Sequence, residues 1–397
     1  MPEREERVTA LELFFDLVFV FGITQVTGLM SDDPTWSGLG QGLLILAALW
    51  WAWAAYAWLT NTLDPDEGAV RLAMLAAMTS VLLVALAVPG AFGDDGVLFG
   101  LAYMVVRVLH LVLYMIPGRQ DRDLLGAVIR MLPTSTLGPT MLIVAGFLDG
   151  ATQAALWMGA LAIDYLGVLI GRMRGFRVSP IHFAERHHLI VIIALGESIV
   201  AIGIGAAGIP LSSGVVMAAV LGMAVIAALW WAYFDVYAIA AQRYLAQVQG
   251  VARATLARDY YSYLHLPMIA GVVLFALGLK KTLEHVGDPL ATVPAAALCG
   301  GLALYFATHV AMRIRLVLSI RQTTSDRPGL IGPGRTTAGL ACLVLLPMTM
   351  ETPALVALAL LAGVCCSLIV YDVIHYREDR DRVRHEPVMP GGAGRDQ

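Results

Sequence analysis

Charge is what this sequence has least of. Only 14% of its 397 residues are Asp, Glu, Lys or Arg, against 58% hydrophobic residues, and the mean hydropathy is +0.74. A soluble globular domain carries about a quarter charged residues, so a water-soluble enzyme or binding module is excluded. Lysine is nearly missing. Lys280 and Lys281 stand against 24 arginines, a usage that fits a high-GC bacterial genome. Cysteine is scarce too: Cys299, Cys342, Cys365 and Cys366 sit in apolar runs without metal-finger spacing, so burial explains them better than disulfides or zinc. No segment alternates with the period of a strand, which excludes a transmembrane β-barrel. There is no GxxxxGK[ST] loop, no HExxH and no GxSxG. ATP-driven transport, zinc proteolysis and serine hydrolysis therefore have no motif behind them. The arginines lie in loops without the pattern of a nucleic-acid surface, so no nucleic-acid partner is expected.

What remains is a series of long apolar runs, each able to cross roughly 30 Å of hydrocarbon. The expected fold is an all-α integral membrane protein of about twelve transmembrane helices. Six run near 11–29, 38–60, 70–92, 97–116, 124–148 and 153–171, and six near 187–208, 212–238, 260–280, 292–312, 335–351 and 353–375. The charged start MPEREER leads into a run with two acids and no small-residue cleavage site, which reads as a true span and not a removable signal. Pro133 and Pro139 in RMLPTSTLGPT predict a kink or break in the fifth span.

Loop charge sets the orientation. With the N-terminus inside, loops on that side collect the arginines, Arg335 among them, as does a tail holding Arg377, Arg380, Arg382 and Arg384, while the other side holds only Lys280 and Lys281. Positive residues stay cytoplasmic, so the prediction is a multi-pass protein of the bacterial plasma membrane with both termini in the cytoplasm.

The chain also echoes itself. LWWAWAAY at 49–56 returns as LWWAYFDVY at 229–237, ELFFDLVFVFGITQ is matched by ERHHLIVIIALGES from Glu185, and GLAYMVVRV at 100–108 is matched by GLALYFATHV at 301–310. Order is kept, so two tandem six-helix repeats are expected, over residues 1–175 and 176–376, followed by a disordered cytoplasmic tail at 377–397. The stretch GRMRGFRVSP would link them.

Ionisable groups inside spans cost at least about 2.5 kcal/mol and face protein or a hydrated path. Glu12 and Asp16 are four apart on one helix face, with Gln25 three turns deeper. Glu12 sits where it would cap the helix; Asp16 lies a turn too deep for that. Arg186 and Glu197 share a face, and Glu197 falls near the bilayer midplane. Asp235 in LWWAYFDVY replaces an alanine of the first half, beside residues that resemble an interfacial aromatic belt. Arg107 and His110 lie mid-span, and Arg107 needs an acid: Asp16, Asp164 and Glu197 are the candidates, with Asp16 taken as the one it meets. Glu185, with Glu12, would face the cytoplasmic mouth, while His265, His309 and Asp164 complete the set. His187 and His188 are the candidates for a metal ligand.

At ELFFDLVFVFGITQ, ERHHLIVIIALGESIVAIG, LWWAYFDVY and YSYLHLPMIAGVVLFALG the chain resembles the bacterial low temperature requirement A family, from about Arg7 to the last span. The resemblance implies an integral membrane protein and brings no established activity. Phe14, Asp16, Val18, Phe19, Ile23 and Thr24 also resemble the first-helix signature of FSD-motif potassium channels, with Phe15 in place of the serine. That resemblance implies a pore-organising hydrogen-bond network around Asp16. Together these readings predict a transporter or channel for a small solute or ion, with Asp16, Glu197 and Arg107 as its polar network and Glu197 as the proton-carrying group if transport is proton-coupled. No cofactor is expected, and a homodimer is possible. The competing expectation is an intramembrane enzyme for a lipid-like substrate, in which His187, His188, Glu197, His265 and His309 would gather a metal or haem. A third is a sensor or assembly factor in which the polar groups only lock helices together.

Overall fold

The computed structural model describes residues 8–171, 173–321, 333–378 and residue 380. Among them every regular element is helical. The first helix, α1 (Ala10–Asp32), starts at a capping box: the Thr9 hydroxyl accepts from the Glu12 N–H, and the Glu12 carboxylate accepts from the Thr9 N–H at 2.9 Å. This reciprocal cap satisfies two helix-start donors that lipid cannot serve. Then follow α2 (Trp36–Leu59), α3 (Gly68–Leu86), α4 (Gly96–Gly118), α5 (Arg122–Ala145), α6 (Gly150–Ile170) and α7 (Pro180–Gly205). The later helices are α8 (Ser213–Phe234), α9 (Tyr237–Gln247), α10 (Gly250–Leu256), α11 (His265–Glu284), α12 (Thr292–Arg321), α13 (Gly334–Val344), α14 (Leu346–Thr349) and α15 (Ala354–His375). A π-helical turn, Ala257–Tyr263, joins α10 to α11.

Among the described residues eleven helical segments are long and apolar enough to cross a membrane. The expected span at 335–351 is not one of them. Leu345 interrupts it, Pro347 begins a new turn, and the result is α13 of 11 residues followed by α14 of 4 residues. An 11-residue helix rises only about 16 Å. The predicted break in the fifth span is also absent, because α5 runs unbroken through Pro133 and Pro139. Side-chain hydroxyls bond to backbone there: Thr136 and Thr140 donate to carbonyls one turn back at 2.9 and 2.8 Å. Such bonds are one way a membrane helix tolerates proline.

The chain divides into two compact units between Arg186 and His187, inside α7. In the first unit α1 packs on α2 and α3, α3 on α4, α4 on α5, α5 on α6, and α6 returns to α2. In the second unit α11 packs on α12, α12 on α13, α13 on α15, and α15 returns to α8. Missing side chains permit the tightest of these pairings. A Cβ on Gly271 would come within 2.7 Å of the Gly301 carbonyl, and one on Gly100 within 2.7 Å of Ile143 backbone. Small residues that let backbones touch are a main source of helix association in lipid. Outward faces carry large apolar side chains, such as Phe14 and Leu17 on α1, exposed by 52% and 58%, a surface suited to lipid tails. Cys299, Cys342 and Cys365 are buried as expected; Cys366, one position round α15, is exposed.

Candidate functional site

Among the described residues the first unit gathers its buried charges into two groups. Arg186 on α7 is fully buried and bridges both acids of α1. Its Nη1 lies 2.9 Å from Glu12 Oε1 and its Nη2 2.7 Å from Asp16 Oδ1. The four-residue spacing of the acids, one turn on one face, matches the fork of a guanidinium. Trp53 on α2 donates its Nε1–H to the same Asp16 oxygen at 2.8 Å. His182, one turn before Arg186, donates Nε2–H to the Glu12 carboxylate at 3.1 Å. The other oxygen of Asp16, Oδ2, has no hydrogen-bond partner among the described residues. One guanidinium therefore faces two carboxylates. The α1 N-terminus offsets part of the Glu12 charge, while Asp16 lies beyond its reach.

The second group joins α4 to α5 and α6. Arg107 lies 3.3 Å from Asp164 and donates to the Ser135 hydroxyl at 2.9 Å. This is a one-to-one pair, and it corrects the expectation that Arg107 meets Asp16. The reason is lateral: Asp16 is already held by Arg186, and Asp164 on α6 is the acid that faces Arg107. His110, a turn further on α4, bonds to the Ala55 carbonyl at 3.1 Å. Gln25 is only half-buried. Half-buried Glu185 accepts from the Val8 N–H at 3.4 Å, a backbone contact near the start of α1.

The second unit places Asp235 at the end of α8, where α8 breaks into α9. It is buried, with Arg380 clasping both its oxygens, one at 3.0 Å. Solvation in an aromatic belt is thus not its role, and Arg380 does not belong to a disordered tail; residues 381–397 lie outside the described residues. Arg335, counted from sequence as a loop arginine, is buried and pairs with Asp372 of α15 at 2.8 Å. Glu197 is buried, at 2% exposure. His187 and His265 meet edge to face with ring centroids 5.3 Å apart, and His188, His265 and His309 surround Tyr233. Among the described residues no three His, Cys, Asp or Glu side chains are placed to hold a metal ion.

Sequence reasoning overlooked Trp53, His182, Arg335 and Asp372. His182 carried a readable signal, being four residues from Arg186 on one face. Arg335 carried none, because a loop arginine and a buried one look alike in a topology count.

No solved structure matches the chain. An uncharacterized protein of Rhizobium meliloti (strain 1021) is 30% identical over 285 residues, covering 69% of this chain and 69% of its own length. The family model for the bacterial low temperature requirement A protein matches residues 7–370. A match of that extent places the chain in a family of helical membrane proteins: it belongs to the bacterial low temperature requirement A family.

Proposed function

We propose that the protein is a membrane transport protein, a channel or carrier, and that its substrate is a small cation. The observation that carries this is the charge count around Arg186. Two buried carboxylates share one guanidinium, and Asp16 keeps an oxygen with no partner among the described residues. A membrane interior penalises unbalanced charge, so the cluster favours taking up one further positive charge, a proton or a metal cation. The signature of α1 fits this reading. A hydrogen-bond network between helices is what its resemblance to FSD-motif channels implies, and Trp53 and Arg186 supply such bonds to Asp16. If transport is proton-coupled, Glu197 is the proposed proton carrier of the second unit.

The transport reading includes two tandem six-helix repeats in a bacterial plasma membrane, with both termini cytoplasmic. Support comes from matched packing and matched bonds. In the first unit Tyr103 of α4 donates to the Ala48 carbonyl of α2 at 3.2 Å; in the second, Tyr305 of α12 donates to the Leu229 carbonyl of α8 at 2.7 Å. Each unit also ties its last helix with a buried Arg–Asp pair. The twelfth crossing is assigned to α13 and α14 together. Arg335, near the start of α13, meets Asp372 near the end of α15, while the Thr349 carbonyl of α14 accepts from Leu290 N–H beyond the far end of α11. This pair of helices thus runs antiparallel to α15 and covers the distance between its ends.

The test is cation flux into proteoliposomes holding the full chain, read with dyes for K⁺, Na⁺ and pH. Asp16→Asn is expected to lower the flux roughly tenfold, about 1.4 kcal/mol of barrier, with the thermal unfolding midpoint retained. Equal flux in wild type and variant removes the cluster from the path. No flux of any of the three above protein-free vesicles removes the cation reading.

A further inference from the structure

The second unit holds a cluster that the charge argument does not use. Tyr233, near the end of α8, has three imidazoles about it, with the rings of His265, His188 and His309 centred 5.7, 6.0 and 6.2 Å away. Tyr237 lies 5.2 Å from His309, and Tyr260 lies 5.8 Å from His265. All but half-buried His188 are 1% exposed or less.

The hydrogen bonds fix two tautomers. His265 Nδ1 lies 3.0 Å from the Tyr260 carbonyl, which can only accept, so Nδ1 carries the hydrogen. Its Nε2 is then an acceptor, and the Tyr233 O–H donates to it at 2.8 Å. With its O–H given to His265, the Tyr233 oxygen keeps its lone pairs for accepting. The Nδ1–H of His309 donates to the Tyr305 carbonyl at 3.0 Å, which leaves Nε2 as a bare acceptor. Nε2 of His309 has no partner among the described residues, nor have the hydroxyls of Tyr237 and Tyr260 or Nε2 of His188.

Each such group costs about 1–3 kcal/mol when buried unsatisfied, and four in one cluster call for a ligand that both donates and accepts. A metal does neither, and Arg335, 4.6 Å from the Tyr237 ring, disfavours a resident cation. Water is the smallest molecule that both donates and accepts, and buried water normally makes about three such bonds. The π-helical turn adds a second observation. It brings consecutive Tyr260 and Tyr261 both into the interior, and such turns occur often at functional sites.

We propose that this cluster is a hydrated proton relay within the second unit, with water bridging His309 Nε2, Tyr237, Tyr260 and the Tyr233 oxygen and the path ending at the Arg335–Asp372 pair. Asp372 Oδ1 is likewise without a hydrogen-bond partner among the described residues. A proton carried by one water binds His309 Nε2 and leaves neutral water behind. The imidazolium then returns a proton from the same nitrogen to the next water, because Nδ1–H stays on the Tyr305 carbonyl. His265 relays no proton, since its Nδ1–H is held by the Tyr260 carbonyl and its Nε2 by the Tyr233 hydroxyl; it orients Tyr233.

The relay adds a proton path to the transport reading, and its first test does not depend on that reading. In pulsed hydroxyl-radical labelling of the full chain in nanodiscs, Tyr237 and Tyr260 are expected to label several-fold faster than Tyr103. Tyr103 is equally buried, but its hydroxyl donates to the Ala48 carbonyl. Labelling as slow as that of Tyr103 overturns the relay. The second test is proton uptake into proteoliposomes driven by a valinomycin-clamped potassium gradient. His309→Phe is expected to cut the rate roughly tenfold, and Tyr237→Phe, which keeps the ring, to cut it severalfold. Unchanged uptake in both variants overturns the relay and leaves the Asp16 reading standing. Cation flux left unchanged by Asp16→Asn, with proton uptake still dependent on His309, does the reverse.

Discussion

The two units solve the same problem, polar groups in a membrane, with different chemistry. The first uses full charges: Arg186 between Glu12 and Asp16, and Arg107 against Asp164. The second lines its centre with imidazole and phenol, neutral groups that donate and accept at once, and keeps its Arg335–Asp372 pair beside them. The difference follows from a few aligned positions. Under the proposed repeat, Trp53, a donor only, stands where Tyr233, a donor and acceptor, stands in the second half, and Phe14, Phe15 and Asp16 stand where His187, His188 and Leu189 do. An acid needs a cation near it in hydrocarbon, whereas a neutral imidazole needs only hydrogen bonds. The first unit therefore gathers charged side chains, and the second gathers rings that donate and accept hydrogen bonds.

Removing charges one at a time breaks this comparison most sharply. Arg186→Met is expected to cost the most, about 3–5 kcal/mol, because it leaves two buried carboxylates without a counter-ion. Thermal unfolding in detergent measures the loss, and adding Glu12→Gln and Asp16→Asn to the same chain is expected to restore most of it. A single variant that unfolds like wild type means the cluster is not a buried ion triad. Arg107→Met comes next at about 3 kcal/mol, and its recovery needs only Asp164→Asn.

The same series separates balanced from unbalanced charge. Asp164→Asn alone leaves Arg107 buried and unpaired, and it is expected to destabilise by at least about 2 kcal/mol more than Asp16→Asn. The asparagine at position 16 still offers an oxygen to Trp53 and Arg186, and Glu12 still balances the guanidinium. Equal costs would refute the charge count on which the cation reading rests. Trp53→Phe removes one charge-assisted donor, at about 1.5–3 kcal/mol. Tyr233→Phe in the second unit removes a neutral bond and is expected to cost least, about 0.5–1.5 kcal/mol. A larger loss for Tyr233→Phe than for Trp53→Phe would reverse the contrast between the units.

Much of the site was legible as residue types and little as partnerships. Asp16 was readable as too deep for a cap, and Glu12 as a cap, which it is. The partner of Asp16 was not. Arg186 and Arg107 are both arginines in apolar runs, and helix periodicity says which face a residue occupies without saying which neighbour covers that face. Asp235 and Arg335 failed for a related reason. Each lies at a helix end, where sequence expects solvent, and each is buried by a residue more than thirty positions away, Arg380 and Asp372.

Composition and hydrophobic run length by themselves determined the helical membrane class, because only a helix satisfies its own backbone in lipid. They located most of the long apolar helices, although α7 begins at Pro180 against an expected 187 and α12 runs to Arg321 against an expected 312, and they picked out the buried acids Glu12, Asp16, Asp164 and Glu197. Only the tertiary structure decided how α13 and α14 divide what reads as one run, whether the prolines of α5 break it, and which arginine meets which acid. Those outcomes depend on side chains brought together across helices, where a hydroxyl, a carboxylate or a missing Cβ decides contacts that no local pattern encodes.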